Sequence, residues 1–109
     1  MAETYKNVAV TLGNTADTAV YTCPSATTAI VIHCQVANVD GTNASDLNMD
    51  LYDSSATTAS ALASTISVPA DTAINPIGGK LVLEASDELR AWAGATSDLE
   101  LTLSILQIT

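Results

Sequence analysis

The chain has 109 residues, 48% of them hydrophobic and 14% charged; this is too apolar for a disordered chain and too short for a two-domain enzyme, and predicts one domain over residues 1–109. Twelve acidic residues against three basic ones give a formal net charge of -9, which repels phosphate backbones and anionic lipid head groups, so neither nucleic acid nor membrane is an expected partner. No window approaches the roughly 20 apolar residues of a membrane span, and the start Met1-Ala-Glu-Thr-Tyr-Lys-Asn lacks the basic and apolar regions of a secretion signal. Synthesis and folding in a cytoplasm are therefore expected.

In chain order, the dominant signal is period-two alternation in short segments, the pattern of half-buried antiparallel strands. Residues 5–12 set Lys6-Val8-Val10-Leu12 against Tyr5-Asn7-Ala9-Thr11, and Gly13-Asn14 ends the run. Ala19 to Cys23 forms a short strand stopped by Pro24. Thr27 to Ala37 forms a longer one, with Ile30, Ile32, Cys34 and Val36 expected in the core and Ala29, Val31, His33 and Gln35 on the other face. Beyond the turn-rich 38–45, Leu47-Met49-Leu51 alternates with Asn48-Asp50-Tyr52, and Leu62-Ser64-Ile66-Val68 reads as a strand ending at Pro69.

Thr72 to Pro76 is expected to be extended, Gly78-Gly79 to turn or bulge, and Lys80 to Glu84 to place Leu81 and Leu83 on one face. Glu88 to Ala93 alternates again, and Leu99-Leu101-Leu103-Ile105 opposite Glu100-Thr102-Ser104-Leu106 is the clearest alternation of all. About eight strands with turns every 8 to 12 residues predict a single antiparallel β-sandwich, jelly-roll or immunoglobulin-like. The turns Cys23-Pro24-Ser25-Ala26-Thr27 and Val68-Pro69-Ala70-Asp71-Thr72 echo one another. Leu47, Met49, Leu51, Leu81, Leu83, Leu89, Leu99, Leu101 and Leu103 complete the expected core.

Catalytic chemistry is undersupplied. The one histidine, His33, neighbours Cys34 in a strand, where successive side chains point to opposite faces, so the two cannot act as a nucleophile and base. Two cysteines and one histidine fall short of a zinc site, and the acidic loop around Asp40, Asn43 and Asp46, with Asp50 and Asp53 nearby, does not follow the EF-hand order. Acidic pairs such as Glu84 with Glu88 lack a cleft to act across. No enzyme activity, metal or cofactor is expected. Cys23 and Cys34 are expected to be free thiols, because a strand from Thr28 carries Cys34 roughly 20 Å away from the Cys23 end.

Small, nearly uncharged second faces, with Val31 on the third strand and Leu106 and Ile108 on the last, suit contact with another protein; Trp92 joins them as an expected interface residue. The runs Val20-Tyr21-Thr22-Cys23-Pro24, Thr28-Ala29-Ile30-Val31-Ile32 and Asn75-Pro76-Ile77-Gly78-Gly79-Lys80-Leu81-Val82-Leu83-Glu84-Ala85, running on to Leu89-Arg90-Ala91-Trp92-Ala93, resemble small virion structural proteins of tailed bacteriophages. The resemblance covers about Val8 to Ile108. It implies a β-sandwich located in the virion, with capsid decoration (cement) as the leading role. It further implies a homo-oligomer, a trimer by the common habit of cement proteins, bound to the major capsid protein or other virion proteins. The alternative it leaves is a neck, tail or fibre component, including a receptor- or glycan-binding module built around Trp92, Tyr52 or Tyr5.

Overall fold

Alternation along the chain becomes antiparallel pairing throughout the computed structural model, which describes residues 2–109. Nine strands form among these residues: β1 (Glu3–Thr11), β2 (Ala19–Thr22), β3 (Thr28–Asn38), β4 (Ser45–Asp53), β5 (Thr58–Val68), β6 (Ala73–Ile74), β7 (Leu81–Leu83), β8 (Glu88–Ala93) and β9 (Leu99–Ile108). One sheet runs β1-β9-β3-β6, with β7 also on β3, and the other runs β2-β8-β4-β5. Counting β6 and β7 as one interrupted strand, successive strands alternate between the sheets except at the β4–β5 hairpin. This is the jelly-roll arrangement of an all-β sandwich.

The core lies between the sheets. Leu99, Leu101, Leu103 and Ile105 of β9 are wholly buried and face Leu47 and Met49 of β4 and Leu89 of β8 in the opposite layer. Glu100 and Thr102 between them are exposed, so β9 behaves as its alternation predicts.

Strand β3 departs from its predicted phase. Its pairing to β9 passes from Val31↔Ile105 to His33↔Ser104, which leaves Ile32 as an extra residue in a bulge. Cys34 and Val36 point inward as expected, but before the bulge the inward residues are Ala29 and Val31. Ile32 is 40% exposed and Ile30 is half-buried on the outside. The bulge also explains the extra strand over the eight expected: β7 pairs with β3 before it and β6 pairs after it, while Asn75 to Lys80 loops past the irregularity. That loop is closed by the Asn75 side-chain oxygen Oδ1, which accepts from the amides of Ile77 and Gly78 (both 3.1 Å), and Gly78 has φ of 75°. Strand β5 is broken likewise by bulges opposite Asn48 and between Met49 and Asp50, so Leu62, Ser64, Ile66 and Val68 do not share a face.

The echo between the two proline turns is structural. Ala26 and Asp71, each two residues past a proline, have φ of 54° and 57°. In each, the following threonine hydroxyl donates to the carbonyl just before the left-handed residue, Thr27 to Ser25 (3.0 Å) and Thr72 to Ala70 (3.2 Å). The β4–β5 hairpin repeats the device with Thr58, Thr57 (φ 53°) and Ala56 (3.0 Å). A left-handed non-glycine residue costs of order 1–2 kcal/mol, and the hydroxyl bond offsets part of it.

Cys23 and Cys34 are unpaired and each is 1% exposed. The Cys23 thiol donates to the carbonyls of Thr27 (3.3 Å) and Leu83 (3.6 Å), and burial raises its pKa. Burial pushes the Cys34 thiol from 9.0 up to about 12. Both thiols should therefore resist alkylation at pH 8 in the native protein and react together once it is unfolded. Because the folded pKa of Cys34 exceeds the unfolded one, its contribution is fully present below pH 9 and is lost as pH rises towards about 12; at 1.36 kcal/mol per pH unit the loss is about 4 kcal/mol. Urea titrations between pH 8 and 11 should show this slope and Cys34→Ala should reduce it, leaving the part that the buried Cys23 thiol contributes. A mass two daltons below the reduced value would contradict the free thiols.

Candidate interaction surface

Directly opposed residues in antiparallel strands share a face, with Cβ atoms about 4.5–5.5 Å apart. On the five-stranded sheet, Tyr5 opposes Leu106, Leu106 opposes Ile30, and Ile30 opposes Val82. Their chain neighbours Val31, Leu83 and Ile105 are buried, so this row points outward. It crosses β1, β9, β3 and β7 over about 14 Å. Tyr5 is 76% and Val82 55% exposed, while Leu106 and Ile30 in the middle are half-buried. Ile108 lies one step further along β9, and the bulged Ile32 lies on the other side of Ile30. Three of the five exposed large hydrophobics among the described residues, Tyr5, Ile32 and Val82, thus gather at one end of one sheet. The rest of that face is mainly polar, with Asn7-Ser104-His33, then Ala9-Thr102-Gln35, then Thr11-Glu100-Ala37.

The four residues expected at an interface separate. Leu106 and Ile108 lie on the apolar end just described. Val31 does not: the bulge turns it into the core at 0% exposure, where it can touch no partner. Trp92 lies on the outer face of the other sheet, half-buried opposite Asn48. That second face is polar. Arg90 Nε donates to Glu88 Oε1 at 2.9 Å, and the guanidinium sits 4.1 Å from the centre of the Tyr52 ring. Tyr5, Ile30 and Val82 complete the apolar row, and alternation alone could not find them because the row exists only once four strands are in register.

The acidic residues also regroup. Asp40 does not gather with Asp46 and Asp50; its carboxylate accepts from the Thr42 and Asn43 amides (2.8 and 3.2 Å) and the Asn43 side chain, which hold its pKa below the usual carboxylate range. It is a turn-former beside Asn38, whose amide donates to Asn43 and Val68 carbonyls (3.0 and 2.8 Å). Instead Asp53, Glu84 and Asp87 converge, with carboxylate oxygens within 4.8 Å of one another. Glu84 and Asp87 border an open depression of about 600 Å³ at one end of the sandwich, walled also by Thr28, Ser54 and Ile108.

Asp87 is 5% exposed and fully engaged. Its Oδ1 accepts from the Ser54 amide and hydroxyl (3.0 and 3.1 Å), and its Oδ2 accepts from the Glu84 amide (3.0 Å). Asp53 Oδ1 accepts from the Ser55 hydroxyl, the Ala56 amide and the Ser55 amide, so its pKa is lowered first by the Ser55 hydroxyl. These carboxylates fasten loops. His33 is exposed and Cys34 buried on opposite sides of β3, so the structure sets no base beside a nucleophile there.

Fold and surface together define a jelly-roll sandwich that presents one apolar row on an otherwise polar exterior. No family model matches this chain, and no curated protein matches it by sequence. Solved structures do share its fold. A Bacillus endospore appendage protein, from a family of disulfide-linked pili, is 14% identical with a TM-score of 0.57 over 99% of this chain and 87% of its own. The Drosophila NLP core, whose crystal structure bears on pentamer formation and histone binding, is 12% identical with a TM-score of 0.56 over 94% and 95%. A chain of infectious bursal disease virus, Gx strain, is 12% identical with a TM-score of 0.52 over 96% of this chain and 32% of that one. This chain spans about a third of that viral protein. At these identities the likeness establishes the fold.

Proposed function

We propose that this chain is a non-enzymatic structural subunit of a virion, and within it a capsid decoration protein that strengthens the shell by protein contacts. The observation that carries the reading is the row Tyr5-Leu106-Ile30-Val82, a surface suited to burial against another protein. The same fold in a chain of a virus, and the resemblance of the strand and turn runs to tailed-phage virion proteins, support the location. Leu106 and Ile108 belong to the contact surface; Trp92, on the opposite face, belongs to a second contact. The partners are further copies and the major shell protein, and a local three-fold position on the shell would hold a trimer. For a glycan-binding role the aromatic available is Tyr5, exposed within the apolar row, while the Arg90 guanidinium covers one face of Tyr52.

Purified protein added to shells that lack it should bind and raise the temperature at which they come apart. Leu106→Asp should abolish both effects. Unchanged shell stability, with the protein located instead at the neck, tail or fibres, would overturn the decoration role.

A further inference from the structure

We propose that the bulge in β5 at Thr65, held by the side chain of Asn48, guards the open edge of the four-stranded sheet against strand-to-strand pairing with β5 of a second copy. That sheet ends in β5, which pairs with β4 on one side and with no strand on the other among the described residues. An open edge offers a row of unanswered amides and carbonyls to any extended chain, and proteins blunt it by shortness, charge, proline or a bulge. The other edges are short or charged: β2 has four residues, β6 two and β7 three, and β1 carries Glu3 and Lys6. Strand β5 has eleven residues, no charge and no proline, and all but Leu62, Ala63 and Val68 are exposed. The bulged backbone is the guard left to it.

The pattern of β5 does not itself call for a bulge. Its alternation Leu62-Ser64-Ile66-Val68 is that of a straight strand, and one-for-one pairing continued from Asp53↔Thr58 and Asp50↔Ala61 would set Leu47 opposite Ser64. Instead Leu47 lies opposite Ile66, so β5 has taken up two extra residues, Leu62 and a second where Ser64 and Thr65 both face Asn48. There Thr65 has φ of 51°, and among the described residues it is the one left-handed position inside a strand, the rest lying in turns and loops. A β-branched residue is poorly suited to that backbone, so a group outside β5 must hold it.

Asn48 supplies the hold. Its Oδ1 accepts from the Thr65 amide at 3.0 Å and from the Thr65 hydroxyl at 3.4 Å, so a side chain of β4 stands where a main-chain carbonyl would stand in a regular ladder. Without it the Thr65 amide loses its acceptor, and the relaxed form is the straight, uncharged strand that the alternation describes. The occupant that suits such an edge is another β5. Two strands rich in Ser, Thr and Ala meet with no like charges opposed, which a chain of net charge -9 requires of any contact between copies.

The test is sedimentation velocity and thioflavin T fluorescence of the full chain and its variants, followed over several days. Asn48→Ala should pass into large species with fluorescence about tenfold or more above the parent, while Asn48→Asp, which keeps an acceptor oxygen, should sediment as the parent does. Adding Ala61→Lys to Asn48→Ala sets a charge on the regular half of β5 and should return both readings to those of the parent, because an edge lysine blocks pairing without restoring the bond to Thr65. Deletion of Thr65 takes out the extra residue itself at an exposed position and should assemble as Asn48→Ala does; if circular dichroism shows Asn48→Ala to be unfolded, the deletion decides by the same readings. A folded Asn48→Ala chain that sediments as the parent, or large species that Ala61→Lys leaves in place, would overturn the proposal. Shells do not enter these measurements, so the outcome is independent of the decoration role.

Discussion

Leu101→Ala should lower the unfolding free energy by about 2–5 kcal/mol, read as a fall in the urea midpoint at unchanged m-value. Leu101 has no exposed surface and sits at the centre of the five-stranded sheet, paired to Val10 of β1 on one side and Val36 of β3 on the other. Its side chain points across the sandwich. The flanking strands are held by continuous ladders, β9 to β1 from Glu3↔Ile108 to Thr11↔Glu100, so they cannot close on a hole left at this position. A cavity term therefore adds to the lost transfer energy, and the expected value lies well above the roughly 1.5 kcal/mol of a half-exposed site. Glu100→Gln, one residue away and facing water, should change stability by no more than about 0.5 kcal/mol. A loss under about 1 kcal/mol for Leu101→Ala would show that this face of β9 is not in the core.

The contrast between β9 and β3 explains how much of the fold was legible beforehand. In β9 the inward positions from Leu99 to Ile105 are all Leu or Ile and the outward ones begin Glu, Thr, Ser, so the phase is unambiguous. In β3 the run Ala29-Ile30-Val31-Ile32 is apolar in both phases. The phase could be taken only from Cys34 and Val36 and carried back, through a bulge that alternation cannot reveal, and the carried phase put Ile32 in the core and Val31 at an interface. A bulge is a property of pairing, because one residue is extra only relative to the partner strand. The break at Gly78-Gly79 between β6 and β7 was legible, but that the two pair with β3 on either side of its bulge was not, for the same reason.

The candidate surface was half legible. Leu106 and Ile108 could be found because β9 is apolar on its second face near its end, yet the row that makes them a patch needs β1, β3 and β7 in register beside them. The acid cluster was not legible at all. Asp53 is more than thirty residues from Asp87, at the far end of the other sheet's hairpin, and only the jelly-roll crossing of the chain between sheets brings the two together.

That crossing is the basis of a second large effect. Asp87→Ala should cost about 2–4 kcal/mol, because it removes the acceptor of three hydrogen bonds and leaves the amides of Ser54 and Glu84 without a partner in a half-buried place. The sum of three bonds to a charged group would be larger. Two effects reduce it: water can reach the Ser54 hydroxyl through the neighbouring depression, and removing one of three carboxylates within 4.8 Å relieves repulsion of about 1 kcal/mol per pair in water-like surroundings. Asp87→Asn retains one carbonyl oxygen, which can serve Ser54 or Glu84 but not both, so it should cost about half as much. The loss has a local signature as well. Asp87 also accepts from the Cys23 amide through its main-chain oxygen (2.8 Å), a bond that survives the substitution, so the β2–β3 turn should keep its place while the β4–β5 hairpin loosens from the β7–β8 turn. Amide exchange at Ser54 and Glu84 should accelerate while that at Cys23 stays slow; a loss below about 0.5 kcal/mol with all three amides unchanged would show that the carboxylate is not what fastens these loops.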